Sequence, residues 1–181
     1  MALVHYPVVN KSGDTIASAV TNLDLHDISR AAKTYGVKRF FVVTPLTDQQ
    51  VLVDRIIAHW TAGAGGVYNP KRQAALELAC LTASLDDAVA HITEAEGDAP
   101  RTVATCARVC NSSIEYAALR EKLKTGKPYL LVFGTAWGLS EQVLEEADLI
   151  LKPVAGRSNY NHLSVRSAAS IIMDRLLGSD S

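Results

Sequence analysis

Short apolar runs alternate with amphipathic segments along the chain, and this alternation is the strongest structural signal in the sequence. Apolar runs rich in β-branched and aromatic residues predict strands at 3–9, 40–43, 78–82, 102–105, 129–133 and 149–151. Apolar residues at a helical spacing predict helices at 24–35, 48–60, 70–77, 84–96, 114–124, 141–147 and 162–177. This order of elements predicts an α/β fold with a mostly parallel sheet flanked by helices.

Turn-forming residues separate these elements. The run 10–14 predicts a turn after the first strand, and Gly36 and Gly126 each follow a predicted helix as its stop. The glycine-rich run 62–66 predicts a mobile loop. The sequence contains no internal repeat and no linker, so we expect a single domain over residues 1–181.

Composition and charge restrict the functional class. A chain of 181 residues that is 48% hydrophobic can bury one sizeable core. Its 18 Lys and Arg residues balance 19 Asp and Glu residues, so any basic surface for nucleic acid must be local. No apolar run approaches the roughly 20 residues that cross a bilayer, so no membrane partner is expected. The start of the chain lacks the pattern of a secretory signal and the three cysteines are sparse, which predicts reduced thiols and a cytoplasmic location.

Three polar segments are candidates for chemistry, and the first is Asn22 to Arg30. Asp24 and Asp27 are equally explained as acidic residues at a helix N-terminus, where they offset free backbone donors and the helix dipole. Arg30 lies further into the same helix, near the carboxyl edge of the predicted sheet, where α/β proteins bind ligands. A guanidinium at that edge suits a phosphate or the edge of a base.

The second segment, 130–141, is a buried strand that enters a turn with Gly134 and Gly138. The two glycines allow close approach of the backbone to a ligand. They do not form the dinucleotide-binding fingerprint, and the chain contains no phosphate-binding loop of the Gly-x-x-x-x-Gly-Lys type. An ordinary strand-to-helix turn is the alternative interpretation.

The third segment, 151–170, follows the last predicted strand. Its run of about ten polar or turn-forming residues is more typical of a binding loop than of a simple connection. Small residues at Ser164, Ser167, Ala168 and Ser170 allow close approach of a cofactor or of a neighbouring helix. A capped helix with a close neighbour is the alternative here.

Together these segments resemble the SPOUT class of S-adenosylmethionine-dependent RNA methyltransferases. Residues 22–36 are similar to its first motif, residues 133–140 to its second and residues 162–172 to its third. The resemblance covers nearly the whole chain and is closest to a small bacterial subfamily of RNA methyltransferases. Members of that subfamily also occur fused behind a tRNA guanine-N1 methyltransferase domain.

This resemblance implies a fold, a cofactor and partners. It implies a C-terminal trefoil knot, which is a rare exception among protein folds. It also implies S-adenosylmethionine as the cofactor, an RNA substrate that we expect to be tRNA or rRNA, and a homodimer that builds its sites at the subunit interface. Ala31, Ala32, Ala168, Ala169 and Ile172 on the first and last helices would permit that interface.

The resemblance also assigns site residues. The cofactor-binding residues would be Thr105, Phe133, Gly134, Thr135, Gly138, Leu151, Pro153, His162, Leu163 and Ser164. The catalytic residues would be Asn22, Arg30 and Asn161. No metal is expected, because no spacing of His, Cys and Asp suggests a metal site.

The sequence departs from the class at two positions that matter for chemistry. Ribose-methylating members place a Glu in the second motif and an Asn in the third, whereas this chain has Ala136 or Trp137 and Ser164 there. A noncatalytic accessory module that binds S-adenosylmethionine or RNA is therefore the main alternative. A nucleotide-binding α/β protein outside methylation is a further one, which the missing phosphate-binding loop weakens.

Local basic residues favour the RNA partner. We expect the following to lie near the site: Arg30, Lys33, Lys38, Arg39, Lys71, Arg72, Arg101, Arg108, Lys152, Arg157 and Arg166. A solvated surface of ordinary composition is the alternative interpretation of this set.

Overall fold

A seven-stranded parallel sheet forms the centre of the computed structural model, which describes residues 1–110, 112–158 and 160–179. The described part of the chain has nine strands, and all of them except β2 and β3 belong to this sheet. They are β1 (Ala2–Val4), β2 (Val8–Val9), β3 (Thr15–Ile16), β4 (Phe40–Val43), β5 (Ala79–Thr82), β6 (Arg101–Thr105), β7 (Ser113–Ile114), β8 (Tyr129–Gly134) and β9 (Leu149–Leu151). The sheet order is β5-β4-β1-β8-β6-β9-β7, and all of its pairs are parallel. The predicted fold class is therefore confirmed.

Eight helices connect these strands in the described part of the chain. They are α1 (Asn22–Thr34), α2 (Thr47–Thr61), α3 (Ala64–Tyr68), α4 (Pro70–Leu76), α5 (Leu85–Glu96), α6 (Tyr116–Leu123), α7 (Glu141–Glu146) and α8 (Val165–Leu177). Among these helices, none combines the length and the apolar character needed to cross a membrane.

The sheet is buried on both faces, because alternate residues of each strand point to opposite sides. Leu3, Phe40 and Val42 pack on one face with α1, α2, α6 and α8. Phe41 and Val43 pack on the other face with α5 and α7. Every residue of β4 is buried, and the sequence predicted this continuous apolar run at its observed bounds. β9 is also apolar throughout and was predicted at its observed bounds, although only Leu151 is fully buried.

The first predicted strand is wrong in its extent. Residues 3–9 do not form one strand, because β1 ends at Val4 and Pro7 lacks the backbone donor that a ladder needs. β2 instead pairs antiparallel with β3 outside the main sheet. The predicted turn between β2 and β3 is confirmed: the side-chain oxygen of Asn10 accepts from the backbone N–H groups of Ser12 (2.8 Å) and Asp14 (3.0 Å).

The glycine-rich run also differs from its prediction as a loop. It contributes the short helix α3, in which Gly65 and Gly66 are buried. A Cβ atom on Gly66 would lie 2.6 Å from the carbonyl oxygen of Trp60, so only glycine allows α3 to approach the end of α2 this closely.

Three helices begin two or three residues away from their predicted starts, and the other helix boundaries differ by at most one residue. α1 begins at Asn22 and not at residue 24, because Thr21 is its N-cap and accepts from the Asp24 N–H. The predicted helix at 114 begins at Tyr116, since residues 113–114 form β7 on the edge of the sheet beside β9. α8 begins at Val165 and not at residue 162, because Ser164 is its N-cap.

Candidate functional site

The carboxyl ends of the parallel strands meet along one edge of the sheet, where α/β proteins bind ligands. β6 lies between β8 and β9, so the strand ends at Thr105, Gly134 and Leu151 are neighbours along this edge. Each of these residues begins one of the loops to which the sequence assigned chemistry or cofactor binding. The fold therefore brings the second and third polar segments together.

The turn after β8 has a shape that its backbone fixes. A Cβ on Gly134 would lie 2.5 Å from the backbone nitrogen of Leu139, so glycine is required where the turn closes on itself. Gly138 has a φ of +115° and Ala136 a φ of +50°. The backbone N–H of Trp137 donates to Val9 (3.1 Å), and that of Val9 donates to Gly138 (3.0 Å). These bonds join the turn to β2 and leave the Trp137 side chain 58% exposed.

Two contacts join the loops at this edge. The side-chain amide of Asn161 donates to the carbonyl oxygen of Ala107 at 3.0 Å, which links the loop after β9 to the loop after β6. The rings of Trp137 and His162 lie 6.4 Å apart at nearly right angles, and Tyr160 lies 5.6 Å from His162. We call residues 106–110, 134–140 and 152–164 the three-loop cluster; Asn159 within it lies outside the described residues.

The predicted cofactor residues divide into three groups by exposure. Thr105, Gly134 and Gly138 are half-buried. Phe133, Thr135, Leu151 and Pro153 are buried, so they can offer a ligand mainly their backbone. His162, Leu163 and Ser164 are exposed at the end of the loop before α8.

Two hydroxyls of the predicted set have structural partners. The Thr105 hydroxyl donates to the Val132 carbonyl at 3.0 Å, and the Ser164 hydroxyl accepts from the Ser167 N–H at 3.2 Å. The assignments to the cofactor stay predictions.

A chain of buried and partly buried hydrogen bonds supports the turn. The Thr135 hydroxyl donates to the carbonyl of Val4 at 2.9 Å and also contacts the Ser18 hydroxyl. Ser18 in turn lies 3.1 Å from Nδ1 of His5. Burial lowers the pKa of His5 to about 4, because the charged imidazolium would lose its hydration. His5 is therefore neutral at pH 7.

The predicted catalytic residues Asn22 and Arg30 lie elsewhere, in a groove of about 730 Å³ between α1, α2 and α4. We call this the arginine groove, because Arg30, Arg55 and Arg72 line it from the three helices. The third predicted catalytic residue, Asn161, lies in the three-loop cluster and not in this groove. The structure therefore separates the catalytic set into two places.

The remaining walls of the arginine groove are aromatic and imidazole rings. The Arg72 guanidinium lies 4.7 Å from the centre of the Trp60 ring, a cation–π contact. His26 and His59 each contact Trp60 edge to face at 5.2 Å. Burial, and then the positive charge of Arg72, lower the pKa of His26 below its usual value, so this ring is neutral at pH 7.

Arg166 of α8 connects the third motif to the first. Its Nη1 donates to the Asp24 carboxylate at 2.7 Å, and its Nε lies 3.5 Å from the Asp27 carboxylate. The Thr21 hydroxyl donates to the other oxygen of Asp24 at 2.6 Å. Asp24 thus acts as more than a helix-capping residue, because it holds α8 against the start of α1.

The predicted basic cluster is partly wrong. Arg101 begins β6, and Lys38 and Arg39 directly precede β4, so all three lie at the opposite edge of the sheet from the loops. Arg101 pairs there with Asp148, and Lys38 pairs with Glu96. Arg55 was not predicted as a site residue from the sequence, because it lies among apolar residues on α2. Arg55 and His59 are four residues apart on that face, and an arginine and a histidine beside Leu52 and Ile56 are the signal that could have identified the groove.

Solved structures define the class of this fold. TrmJ from Z. mobilis superposes with a TM-score of 0.61 at 15% identity, over 97% of this chain and 66% of that one. The SpoU methyltransferase AviRb from Streptomyces viridochromogenes, in complex with the cofactor AdoMet, superposes with a TM-score of 0.54 at 20% identity, over 88% of this chain and 54% of that one. These similarities show that this chain has the fold of the SPOUT methyltransferases. The trefoil knot stays a prediction.

Residues 1–178 match the profile of a family described as SAM-dependent RNA methyltransferases, and the chain belongs to this family. It is 45% identical over 177 residues to a tRNA (guanine-N(1)-)-methyltransferase from Oleidesulfovibrio alaskensis. That match covers 98% of this chain and 41% of the relative, so the chain spans about two fifths of the relative's length. The cofactor of the family, S-adenosylmethionine, is the one that the motifs implied.

The three-loop cluster has the chemistry that this cofactor requires. S-adenosylmethionine presents an adenine ring and a positively charged sulfonium, both of which aromatic faces attract. Trp137, Tyr160 and His162 supply such faces, and all three are exposed. The space where a Gly138 side chain would stand is open, which leaves room for a ligand beside the backbone.

Proposed function

We propose that this chain transfers the methyl group of S-adenosylmethionine to a tRNA in the cytoplasm, and that the three-loop cluster is the cofactor site. The proposal depends on one observation above all: Asn161 and His162 join the loops after β6, β8 and β9, which contain two of the three family motifs. The tRNA target is supported by the relative that is 45% identical, whose name describes a tRNA methyltransferase.

Each part of the site has a different task in this proposal. S-adenosylmethionine supplies a methyl group already activated on its sulfonium, so the chain must mainly align the acceptor with it. The backbone of the turn 134–138 and the rings of Trp137 and His162 would bind the cofactor. Asn161 is bonded to Ala107 and would act as a positioning residue for the loop. Arg30 and Asn22 would contact the RNA from the arginine groove.

The absence of a motif carboxylate restricts the acceptor. The three-loop cluster contains no Asp or Glu among its described residues, and Ser164, which replaces the motif Asn, caps α8. A ribose hydroxyl needs a general base for attack, so the proposed acceptor is a base atom that is already nucleophilic.

We also propose that the chain acts as a homodimer, as the class does. The interface cannot use Ala32, Ala169 and Ile172 as the sequence suggested, because these residues are buried in the chain's own core. They pack there because α1 and α8 lie side by side, joined by the pair Arg166–Asp24.

The experiment is methyl transfer from tritiated S-adenosylmethionine to total bacterial tRNA, together with calorimetry of S-adenosylhomocysteine. Trp137→Ala should weaken ligand binding about tenfold or more, because it removes a large exposed ring from the cluster. The matched control is Tyr68→Ala, an exposed aromatic residue on α3 outside the cluster, which should bind normally. Absence of binding by the wild-type chain at millimolar ligand would exclude the methyltransferase proposal.

A further inference from the structure

The arginine groove has more positive charge than its surroundings neutralise. Arg30, Arg55 and Arg72 come from three different helices, and within the described residues none has a carboxylate within 4.0 Å. The one acidic lining residue, Asp27, already faces Arg166 at 3.5 Å. In a chain whose net charge is −1, this is a local concentration of cations. Guanidinium groups converging on one groove suit phosphate oxygens.

Two buried polar atoms of the groove have no hydrogen-bond partner in the described part of the chain. They are Nε of Arg72 and Nδ1 of His26. A buried donor or acceptor left without a partner costs free energy, so such atoms mark a place where a polar ligand completes the structure. Trp60 contacts both side chains and fixes them in place.

The groove has the size of a nucleotide site. Its volume of about 730 Å³ falls in the range of 300 to 1,000 Å³ typical of ligand sites. A protein surface docked here would have to supply its own carboxylate for each of the three guanidinium groups that it buried. A nucleic-acid strand supplies a phosphate for each of them.

We propose that the arginine groove holds a single-stranded segment of the RNA substrate, with its phosphates on Arg55 and Arg72 and a base edge on His26. The proposal rests on the methyl transfer to RNA proposed above, and it extends the substrate site from Arg30 to α2 and α4. Trp60 is a positioning residue, because it acts through the Arg72 guanidinium that it contacts.

The test uses Arg55→Ala, Arg72→Ala and the double variant, with Arg101→Ala as the control. Arg101 is an arginine at the opposite edge of the sheet with an exposed carboxylate partner. The probes are a labelled 20-nucleotide RNA of mixed sequence and total bacterial tRNA. Each groove variant should lower RNA affinity about threefold to tenfold. The double variant should reduce the slope of log affinity against log salt by about 1.4, or about 0.7 per lost phosphate contact. Circular dichroism checks that every variant is folded.

The outcomes separate this inference from the proposed function. If the wild-type chain methylates tRNA and the groove variants keep both their RNA affinity and their salt slope, the groove does not bind RNA. A change in oligomeric state without a change in RNA affinity would instead make the groove an interface between copies, which also overturns the inference. If the groove variants lose RNA binding but wild-type chain transfers no methyl group, the methyl transfer fails and the groove assignment stands.

Discussion

At the scale of single residues, arginines of the same chemistry have different tasks according to their positions in the fold. Arg166 neutralises the carboxylate of Asp24, a residue that is only 5% exposed, and so holds α8 against α1. Arg72 lies against an indole with its Nε unsatisfied. Arg30 projects into the same groove and is exposed. Burial and neighbours thus decide whether a guanidinium stabilises the chain or stays free for a ligand.

Arg30→Ala should separate substrate from cofactor. We expect the affinity for S-adenosylmethionine to stay within about twofold, because Arg30 lines the arginine groove and not the three-loop cluster. Methyl transfer to tRNA should fall by about a hundredfold, as when a contact at the reacting centre is lost. Single-turnover transfer and calorimetry measure the two effects, with Lys127→Ala, an exposed lysine before β8, as the control. Full activity of Arg30→Ala would show that the role implied by the class does not apply here.

His5 should make the stability of the fold depend on pH. Its folded pKa is about 4 against a usual value of 6.5, so below pH 6.5 the unfolded chain binds a proton that the folded chain does not. The free energy of unfolding should therefore fall by roughly 3 kcal/mol as the pH drops from 6.5 to 4. Urea titrations of wild type and His5→Gln across this range measure the effect. The variant should lose this part of the pH dependence, and parallel curves would contradict the assignment to His5.

At the scale of elements, the contact between α1 and α8 depends on one buried carboxylate. Arg166→Ala should destabilise the fold by about 3 kcal/mol, because Asp24 would stay buried with its charge uncompensated. Thermal or urea unfolding measures the change. Asp24→Asn in the same chain should recover part of the loss. The control is Lys152→Ala, which breaks an exposed pair with Glu115 and should cost less than about 1 kcal/mol. Equal effects of the two single variants would contradict a special role for the buried pair.

The loops of the proposed cofactor site are joined by a second element-scale contact. Asn161→Ala removes the bond to Ala107, so the loop before α8 should lose its anchor to the loop after β6. We expect S-adenosylhomocysteine to bind about threefold to tenfold more weakly while the midpoint of urea unfolding stays unchanged. Asn161→Asp, which keeps the shape but not the amide donor, should behave like the alanine variant. Normal binding by both variants would show that this bond does not organise the site.

At the scale of the whole molecule, the proposed homodimer has a direct test. Sedimentation at micromolar concentration should give a species of about twice 19.5 kDa. We expect a dimer because members of the class build their sites from two copies of the chain. A single species near 19.5 kDa would contradict the proposal.

Much of this architecture could be predicted from the sequence. β4 and β9 were predicted at their observed bounds because both are apolar throughout; β4 is fully buried, and β9 is half-buried except at Leu151. The first strand and the glycine run were less predictable. Residues 8–9 pair with β3 and not within the main sheet, and Gly66 packs on Trp60. Both outcomes depend on tertiary contacts, which the local propensities of the residues do not determine.

The sequence by itself determined the α/β layers, the family and the three polar segments that are candidates for chemistry, because periodicity and motifs are local properties of the chain. Only the tertiary structure decided which of these segments meet. It placed Asn161 with His162 at the sheet edge, and Arg30 with Arg55 and Arg72 in a separate groove. Residues from α1, α2 and α4 converge there because α4 packs against both α1 and α2, and the spacing of residues along the chain carries no record of that contact.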